Sequence, residues 1–359
     1  MGLTGRTLAP MRIDDLDFEL PPELIAQEPA VRREDARLLV LDPGTASPRH
    51  TSIRALPAEL VPGDLVVLND TRVLPARLDA RRDTGGRVEL LALEAEADGR
   101  WRMLARAGGT LRADEVLLVG EDAQVRLDRP LGGGRWLAAG VDGDLLSLLL
   151  RYGRMPLPPY IRREGADPRL DALDRERYQT VFAKHAGAVA APTAGLHLTP
   201  ELLAALAARG LEVATLTLHV GLGTFEPVRT ERLEDHRMHD EAFEIPPATA
   251  EAVRRTRAAG GRVVAVGTTT VRALEAAAAA SDDGLPTAGA ARTDLLIAPG
   301  YDLRVVDVLL TNFHLPRSTL LALVSALAGR ERILAAYAEA VREGYRFYSY
   351  GDAMLIVTR

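Results

Sequence analysis

Four polar blocks in the second half of the chain each follow a short apolar run. They are residues 191–197, 218–225, 266–272 and 310–316. Short apolar runs are typical of buried strands, and three of the four blocks lead into residues with helical periodicity. In open α/β sheets, ligands bind outside the carboxyl ends of the strands. The pattern therefore predicts a catalytic α/β enzyme in which these blocks line one pocket.

Composition limits the classes of protein that this chain can form. Its 359 residues, 47% of them hydrophobic, are enough for one large or two ordinary domains. No apolar run approaches the roughly twenty residues that a membrane span needs. The absence of cysteine excludes disulfides, thiolate nucleophiles and thiolate metal sites. We expect a cytoplasmic protein, with residues 1–10 as a disordered extension that lacks the apolar stretch of a secretory signal.

The periodicity of the chain changes near Pro75 and changes back near Arg151. Between these points short strands alternate with glycine-containing turns, and a period of two predicts half-buried strands. Five or six such strands predict a small antiparallel β-barrel. The predicted fold class is α/β: a mixed sheet with helices on both faces, formed by residues 11–74 and 151–359. The barrel, residues 75–150, interrupts this domain as an insertion.

Six of the seven histidines lie in the second half of the chain. A single histidine is more often a satisfied polar group of the core than a catalyst. His197, His219 and His314, however, each directly follow an apolar run, and the imidazole pKa suits a general base. His219 is the preferred base, since Gly221 and Gly223 allow a ligand close to the backbone. His197 and His314 are its competitors.

Other polar residues at predicted strand ends extend the candidate site. Asp70 and Glu226 are predicted to act as the acid or to bind a cation, although a cap or turn role is an open alternative. Thr268 and Thr269 can bind an anion through hydroxyls and helix-start amides, or simply cap the helix. The predicted substrate-binding residues are Asn69, Arg72, Thr193, Gly221, Thr268, Thr269, Asn312, Tyr350 and Asp352.

Residues 152–163 combine aromatic residues, prolines and arginines. Aromatic stacking together with guanidinium groups suits an unstacked nucleotide, and Arg154, Arg162 and Arg163 are the predicted contacts. A rigid strap between domains is the alternative. Because the net charge is −6, any binding of nucleic acid must be local and must weaken with salt.

Eight blocks of the sequence resemble the S-adenosylmethionine:tRNA ribosyltransferase-isomerase family, and they occur in the family's order. They are residues 68–73, 152–161, 178–183, 191–197, 218–225, 266–275, 310–321 and 348–354. The resemblance extends from about residue 11 to the end. Three residues depart from the family's pattern: Leu198 and Asp240 replace an aromatic residue and a serine, and Tyr348 stands where phenylalanine is common. None of them belongs to the predicted site.

The resemblance implies a step of queuosine biosynthesis. The family transfers and rearranges the ribosyl part of S-adenosylmethionine onto 7-aminomethyl-7-deazaguanine at the tRNA wobble position. Epoxyqueuosine-tRNA forms, and adenine and methionine leave. A base must take a proton from the carbon next to the sulfonium, and an acid must protonate adenine. The family's fold is an α/β domain interrupted by a small β-barrel.

The same resemblance sets the expected partners. They are S-adenosylmethionine and tRNA carrying the 7-deazaguanine precursor, with no membrane, no metal and no cofactor; S-adenosylmethionine is a substrate, and the protein is expected to be a monomer. One alternative is a metal-dependent hydrolase that uses His236, His239 and Glu241, since the two histidines have helical i, i+3 spacing. A non-catalytic tRNA-binding protein is the other alternative.

Overall fold

The computed structural model describes residues 11–163, 167–221 and 228–358. Its centre is a nine-stranded sheet, and strands are numbered here in chain order. In spatial order the strands are β15 (Gly289–Thr293), β13 (Glu241–Ile245), β12 (Glu212–Leu218), β3 (Leu65–Asn69), β14 (Val263–Val266), β16 (Val308–Asn312), β17 (Ala353–Val357), β1 (Arg37–Leu41) and β2 (Arg49–Ser52). The expected disordered extension, residues 1–10, lies outside the described residues.

The strand directions bring several carboxyl ends to one edge of the sheet. β12, β3, β14 and β16 are parallel neighbours. β17 is antiparallel to β16, so the residues that precede β17 reach the same edge. β1 is parallel to β17, whereas β2, β13 and β15 join by antiparallel pairing. The sheet is therefore mixed, as predicted, and its parallel centre defines one polar edge.

Helices cover both faces of the sheet. The central strands are continuous apolar runs because both of their faces are buried. In β3, for example, Val67 packs into one hydrophobic core and Val66 into the other. The first core contains α5 (Pro247–Ala258), α6 (Thr268–Ala279), α7 (Thr319–Ala328) and α8 (Arg330–Arg342), and the second contains α1 (Leu56–Glu59) and α4 (Pro200–Ala208). The predicted fold class is confirmed.

Six antiparallel strands form a closed barrel, which confirms the predicted barrel. They are β5 (Arg77–Arg81), β6 (Arg87–Ala95), β7 (Trp101–Ala107), β8 (Glu115–Val119), β9 (Ala123–Gly132) and β10 (Arg135–Gly140). Trp101 and Met103 are buried while Arg102 is exposed, so the period of two marks the inner face. Gly133 and Gly134 both have positive φ in the turn between β9 and β10, a conformation that glycine adopts without steric cost.

The remaining elements connect the barrel to the sheet. β4 (Thr71–Val73) pairs with β11 (His185–Ala188), and two helices, α2 (Leu145–Tyr152) and α3 (Pro168–Arg177), follow the barrel. Short 3-10 helices are Ile13–Leu16, Pro22–Leu24, Arg33–Asp35, Ile53–Ala55, Thr193–His197 and Leu233–Asp235. Across the described ranges, no helix has both the length and the apolar character of a membrane span.

The chain leaves and re-enters the sheet region through two touching segments. The backbones of Arg77 and Arg154 exchange hydrogen bonds of 3.1 and 2.8 Å. A Cβ atom added to Gly153 would lie 1.8 Å from the carbonyl oxygen of Pro75 and 2.3 Å from that of Leu149. Only glycine allows the returning segment to pass this closely.

Replacing Gly153 with alanine should therefore destabilise the protein. The added methyl group must displace backbone rather than a flexible side chain, and overpacking of this kind costs about 1–3 kcal/mol. Gly143→Ala is the matched control, because a Cβ there meets no atom within 4 Å. Urea unfolding of both variants measures the difference, and equal stabilities would contradict the close approach.

Candidate active site

A pocket lies at the polar edge of the sheet, where β14 and β16 end. Its cavity volume is about 60 Å³, and it opens to solvent. Its polar lining includes Thr193, Thr268, Thr269, Asn312, His314, Tyr160, Ser318 and Ser349. The structure thus brings together five of the predicted site residues: Thr193, Thr268, Thr269, Asn312 and His314.

Asn312 supplies this pocket with a buried acceptor that has no partner. Its Nδ2 donates to the carbonyl oxygen of Tyr348 at 3.0 Å and to Nε2 of His197 at 3.1 Å. Because a carbonyl can only accept, these contacts fix the orientation of the amide. Its Oδ1 is buried without a hydrogen-bond partner. An unsatisfied buried acceptor costs about 1–3 kcal/mol, so a ligand N–H that reached it would gain this energy.

His197 holds Asn312 in place. Burial, together with the charges of Arg346 and Arg33, lowers the pKa of His197 to about 4. The imidazole is therefore neutral near pH 7, and its Nε2 accepts the hydrogen bond from Asn312. Since that lone pair is already used, the geometry makes His197 a positioning residue.

His314 lines the pocket itself. Its Nε2 lies 2.9 Å from the hydroxyl of Thr311, and its backbone amide donates to the hydroxyl of Tyr337. Burial lowers its pKa to about 3. A base this weak accepts protons poorly near pH 7, so His314 is better suited to hydrogen bonding than to proton abstraction.

His219 belongs to a separate polar cluster beside the pocket, at the end of β12. The hydroxyl of Thr71 lies 2.9 Å from Nδ1 of His219 and 3.5 Å from the carbonyl oxygen of His185. This contact engages Nδ1, so Nε2 is the ring nitrogen that can act as a base. Burial and His185 lower the pKa of His219, and Asp70 partly opposes this lowering. A half-buried imidazole held through one nitrogen suits a general base.

Asn69 joins the two clusters. Its Nδ2 donates to the carbonyl oxygen of Leu218 at 3.0 Å and to the hydroxyl of Thr269 at 3.2 Å. Its Oδ1 accepts from the backbone amides of Thr71 and Leu218. Next to it, Asp70 accepts from the hydroxyl of Thr217 at 2.7 Å. The ends of β3 and β12 are thus tied to the first turn of α6.

Five predicted substrate-binding residues lie outside the pocket lining: Asn69, Arg72, Gly221, Tyr350 and Asp352. Their contacts hold the fold, and their roles in binding stay predictions. Asp352, for example, accepts hydrogen bonds from the backbone amides of Arg37 and Arg346 at 2.9 and 2.8 Å. Two further candidates, Gly223 and Glu226, lie outside the described residues.

Several aromatic and hydroxyl residues of the pocket were not predicted from the sequence, among them Tyr160, Tyr348 and Ser349. The Tyr160 hydroxyl lies 2.5 Å from that of Ser349, and the rings of Tyr160 and Tyr348 have centroids 4.6 Å apart. Tyr348 has a φ of +72°, which is uncommon outside glycine and is enriched at functional sites. All three occur in blocks that resemble the family, which was the available signal.

Two of the three predicted tRNA-contacting arginines have carboxylate partners within the chain. Arg154 pairs with Asp171 at 2.6 Å, and Arg163 pairs with the buried Asp174 at 2.7 Å. Arg162, in contrast, is exposed and has no ion pair within the described ranges. Residues 152–163 therefore serve at least in part as the strap between domains that the sequence left open.

The alternative metal site is not assembled. Glu241 forms a buried ion pair with Arg272, and its other oxygen accepts from the backbone amide of Gly221 at 3.0 Å. Over the ranges that the structure describes, no group of three or more histidine, cysteine, aspartate or glutamate residues could hold a metal ion. The geometry thus gives no support to a hydrolase built on His236, His239 and Glu241.

Fold and pocket together define an α/β protein with a β-barrel and a polar-lined pocket at the ends of the parallel strands. The chain matches the family model described as queuosine biosynthesis protein over residues 13–356. It is 51% identical to the S-adenosylmethionine:tRNA ribosyltransferase-isomerase of Geobacter metallireducens, covering 96% of this chain and 100% of the relative. The protein of that name from Gloeobacter violaceus is 53% identical, over 96% and 95%.

A solved structure shows the same likeness. The crystal structure of S-adenosylmethionine tRNA ribosyltransferase from Thermotoga maritima is 37% identical, with a TM-score of 0.54, covering 96% of this chain and 100% of that chain. The chain therefore belongs to the queuosine biosynthesis protein family.

The buried histidines should make the protein sensitive to acid. His314 is neutral when folded, but its unfolded imidazole takes a proton below about pH 6.5. The free energy of unfolding should therefore fall as the pH drops from about 6.5 towards the folded pKa of about 3. His314→Gln should reduce this slope by up to about 1.4 kcal/mol per pH unit. Urea unfolding between pH 4 and pH 7, with exposed His239→Gln as the control, measures it; an unchanged slope would contradict the burial.

Proposed function

We propose that the protein transfers and isomerises the ribosyl moiety of S-adenosylmethionine onto 7-aminomethyl-7-deazaguanine at the tRNA wobble position. The products are epoxyqueuosine-tRNA, adenine and methionine. One observation carries this proposal: the chain is about half identical, over 96% of its length, to relatives named for this activity. The pocket supports it, because its polar lining suits a nucleoside-containing substrate.

The pocket offers a place for each part of S-adenosylmethionine. The first amides of α6, at Thr268 and Thr269, suit the methionyl carboxylate, since helix N-termini favour anions. The rings of Tyr160 and Tyr348 suit the sulfonium through cation–π attraction. The free Oδ1 of Asn312 suits the amine of adenine. S-adenosylmethionine is a substrate in this scheme, and no resident cofactor or metal takes part.

His219 is the proposed base. The positive sulfonium acidifies the neighbouring carbon, and Nε2 of His219 takes its proton while the carboxylate of Asp70 stabilises the resulting imidazolium. Glu226 is the candidate for protonating adenine, and Asp70 is the cation-binding carboxylate. Closure of the pocket against water protects the ylide-like intermediate.

We also propose a division of the chain into two domains. Residues 11–74 and 151–359 form the discontinuous catalytic domain, and residues 75–150 form the inserted barrel domain. The proposed partner is the tRNA that carries the 7-deazaguanine precursor, and the proposed state is a cytoplasmic monomer.

Release of adenine from S-adenosylmethionine tests the reaction. We expect release in the presence of tRNA that carries 7-aminomethyl-7-deazaguanine and none with the same tRNA lacking that base, because the aminomethyl group is the acceptor. Chromatography of the products measures adenine and methionine. Release without any RNA, or no release with the modified tRNA, would contradict the proposal.

Replacing His219 with alanine should lower the single-turnover rate of adenine release by about a hundredfold or more, the usual scale for loss of a general base. Thr71→Val should lower it as well, because the hydroxyl that contacts Nδ1 of His219 and orients the ring is lost. Affinity for tRNA should change little in either variant. Near-normal turnover in His219→Ala, together with collapse in His314→Ala, would instead assign the base to His314.

A further inference from the structure

A second and larger concavity, separate from the pocket, lies between the barrel and the main domain. This groove has a volume of about 1,000 Å³ and is bounded by the outer face of β5, β6 and β7, by residues 152–163 and by α3. Eight arginines and four carboxylates line it, although the chain as a whole carries a net charge of −6. The groove is therefore a local positive surface on an acidic protein.

All four carboxylates of the groove are already paired, and each is paired with a groove arginine. Glu89 accepts from Arg77 at 3.2 Å. The carboxylates of Asp79 and Asp171 both contact Arg154, and Asp174 pairs with Arg163. These pairs neutralise the acidic side chains, and the pair of Arg154 with Asp79 also joins the strap to the barrel.

Five groove arginines have no carboxylate partner. One of them, Arg175, donates to the carbonyl oxygen of Gly153 at 2.7 Å, and the other four are Arg81, Arg87, Arg106 and Arg162. All four are exposed, and within the described ranges their guanidinium groups have neither an ion pair nor a hydrogen bond. Arg81 and Arg87 are direct partners across β5 and β6. Like charges directly opposite each other destabilise a sheet, and a bound anion would offset this cost.

The groove and the pocket share one wall, and this arrangement favours one kind of anion as the ligand of the groove. Pro159 and Ile161 line the groove, while Tyr160 between them lines the pocket. A polyanion lying along the groove would thus have a side group close to the pocket mouth. RNA with an unstacked base fits this arrangement, because arginine pairs with phosphates bidentately while the base leaves the stack.

We propose that this groove binds the backbone of the tRNA substrate, with Arg81, Arg87 and Arg106 of the barrel and Arg162 of the strap contacting phosphates. This inference rests on the proposed function and adds to it the RNA-binding surface. Arg154 and Arg163 are then positioning residues, which act through Asp171 and Asp174 and not by direct contact with RNA.

The test is a triple variant of the full-length protein, R81Q/R87Q/R106Q, with the modified tRNA as the probe. Affinity should fall by about tenfold or more, and the slope of log K against log salt should decrease by about 2–3, because each lost phosphate contact removes about 0.7–0.9. The KM for tRNA should rise while kcat at saturating tRNA stays unchanged. Arg129→Gln is the matched control, since Arg129 is an exposed arginine of the same barrel that does not line the groove.

The outcomes separate this inference from the proposed function. If the wild type releases adenine but the triple variant keeps the wild-type affinity and salt slope, the groove assignment is wrong and the reaction stands. Reduced affinity with an unchanged slope would also overturn it, because no phosphate contact would have been lost. Lost binding of poly-glutamate with unchanged tRNA affinity would assign the groove to an acidic protein. Should the triple variant unfold, Arg87→Gln alone must lower the slope by about 0.7–0.9.

Discussion

The geometry of the candidate site depends on the hydrogen bonds of the Asn69 side chain. It is 1% exposed, and both of its polar atoms are fully used. The Asn69 side chain accepts a hydrogen bond from the backbone amide of Leu218 and donates one to its carbonyl oxygen. These two bonds take the place of interstrand hydrogen bonds at the end of β12. Because buried polar groups must be paired, a residue without this amide would leave that backbone unsatisfied. Through Thr71 and Thr269 the same side chain fixes His219 relative to the pocket.

The fold was largely predictable because the spacing of apolar residues along each strand shows which of its faces are buried. β7 (Trp101–Ala107) alternates buried and exposed residues, and β17 (Ala353–Val357) is apolar throughout because both of its faces are covered. Elements without such a pattern were missed. β15 (Gly289–Thr293) lies at the sheet edge with four of its five residues exposed. α3 (Pro168–Arg177) buries only Asp174, so neither has a hydrophobic period to recognise.

The candidate site was predictable only in outline. Polar residues after apolar runs indicated which edge of the sheet to consider, because strand direction follows from the alternating helices. The roles of His197, His219 and His314 could not be separated, since each follows an apolar run in the same way. What distinguishes them is contact with residues far away in the sequence: Asn312 lies 115 residues from His197, and Thr71 lies 148 residues from His219. Arg163 likewise looked like an RNA contact until its ion pair with Asp174 was known.

We propose that S-adenosylmethionine reacts at the polar edge of the sheet. A crystal structure of the protein with S-adenosylhomocysteine, which keeps the carboxylate and the adenine but lacks the sulfonium, tests this most directly. The carboxylate should lie at the amides of Thr268 and Thr269, and the adenine amine should lie within hydrogen-bonding distance of Oδ1 of Asn312. A ligand bound in the groove between barrel and strap, or one that leaves Asn312 without a partner, would contradict the account.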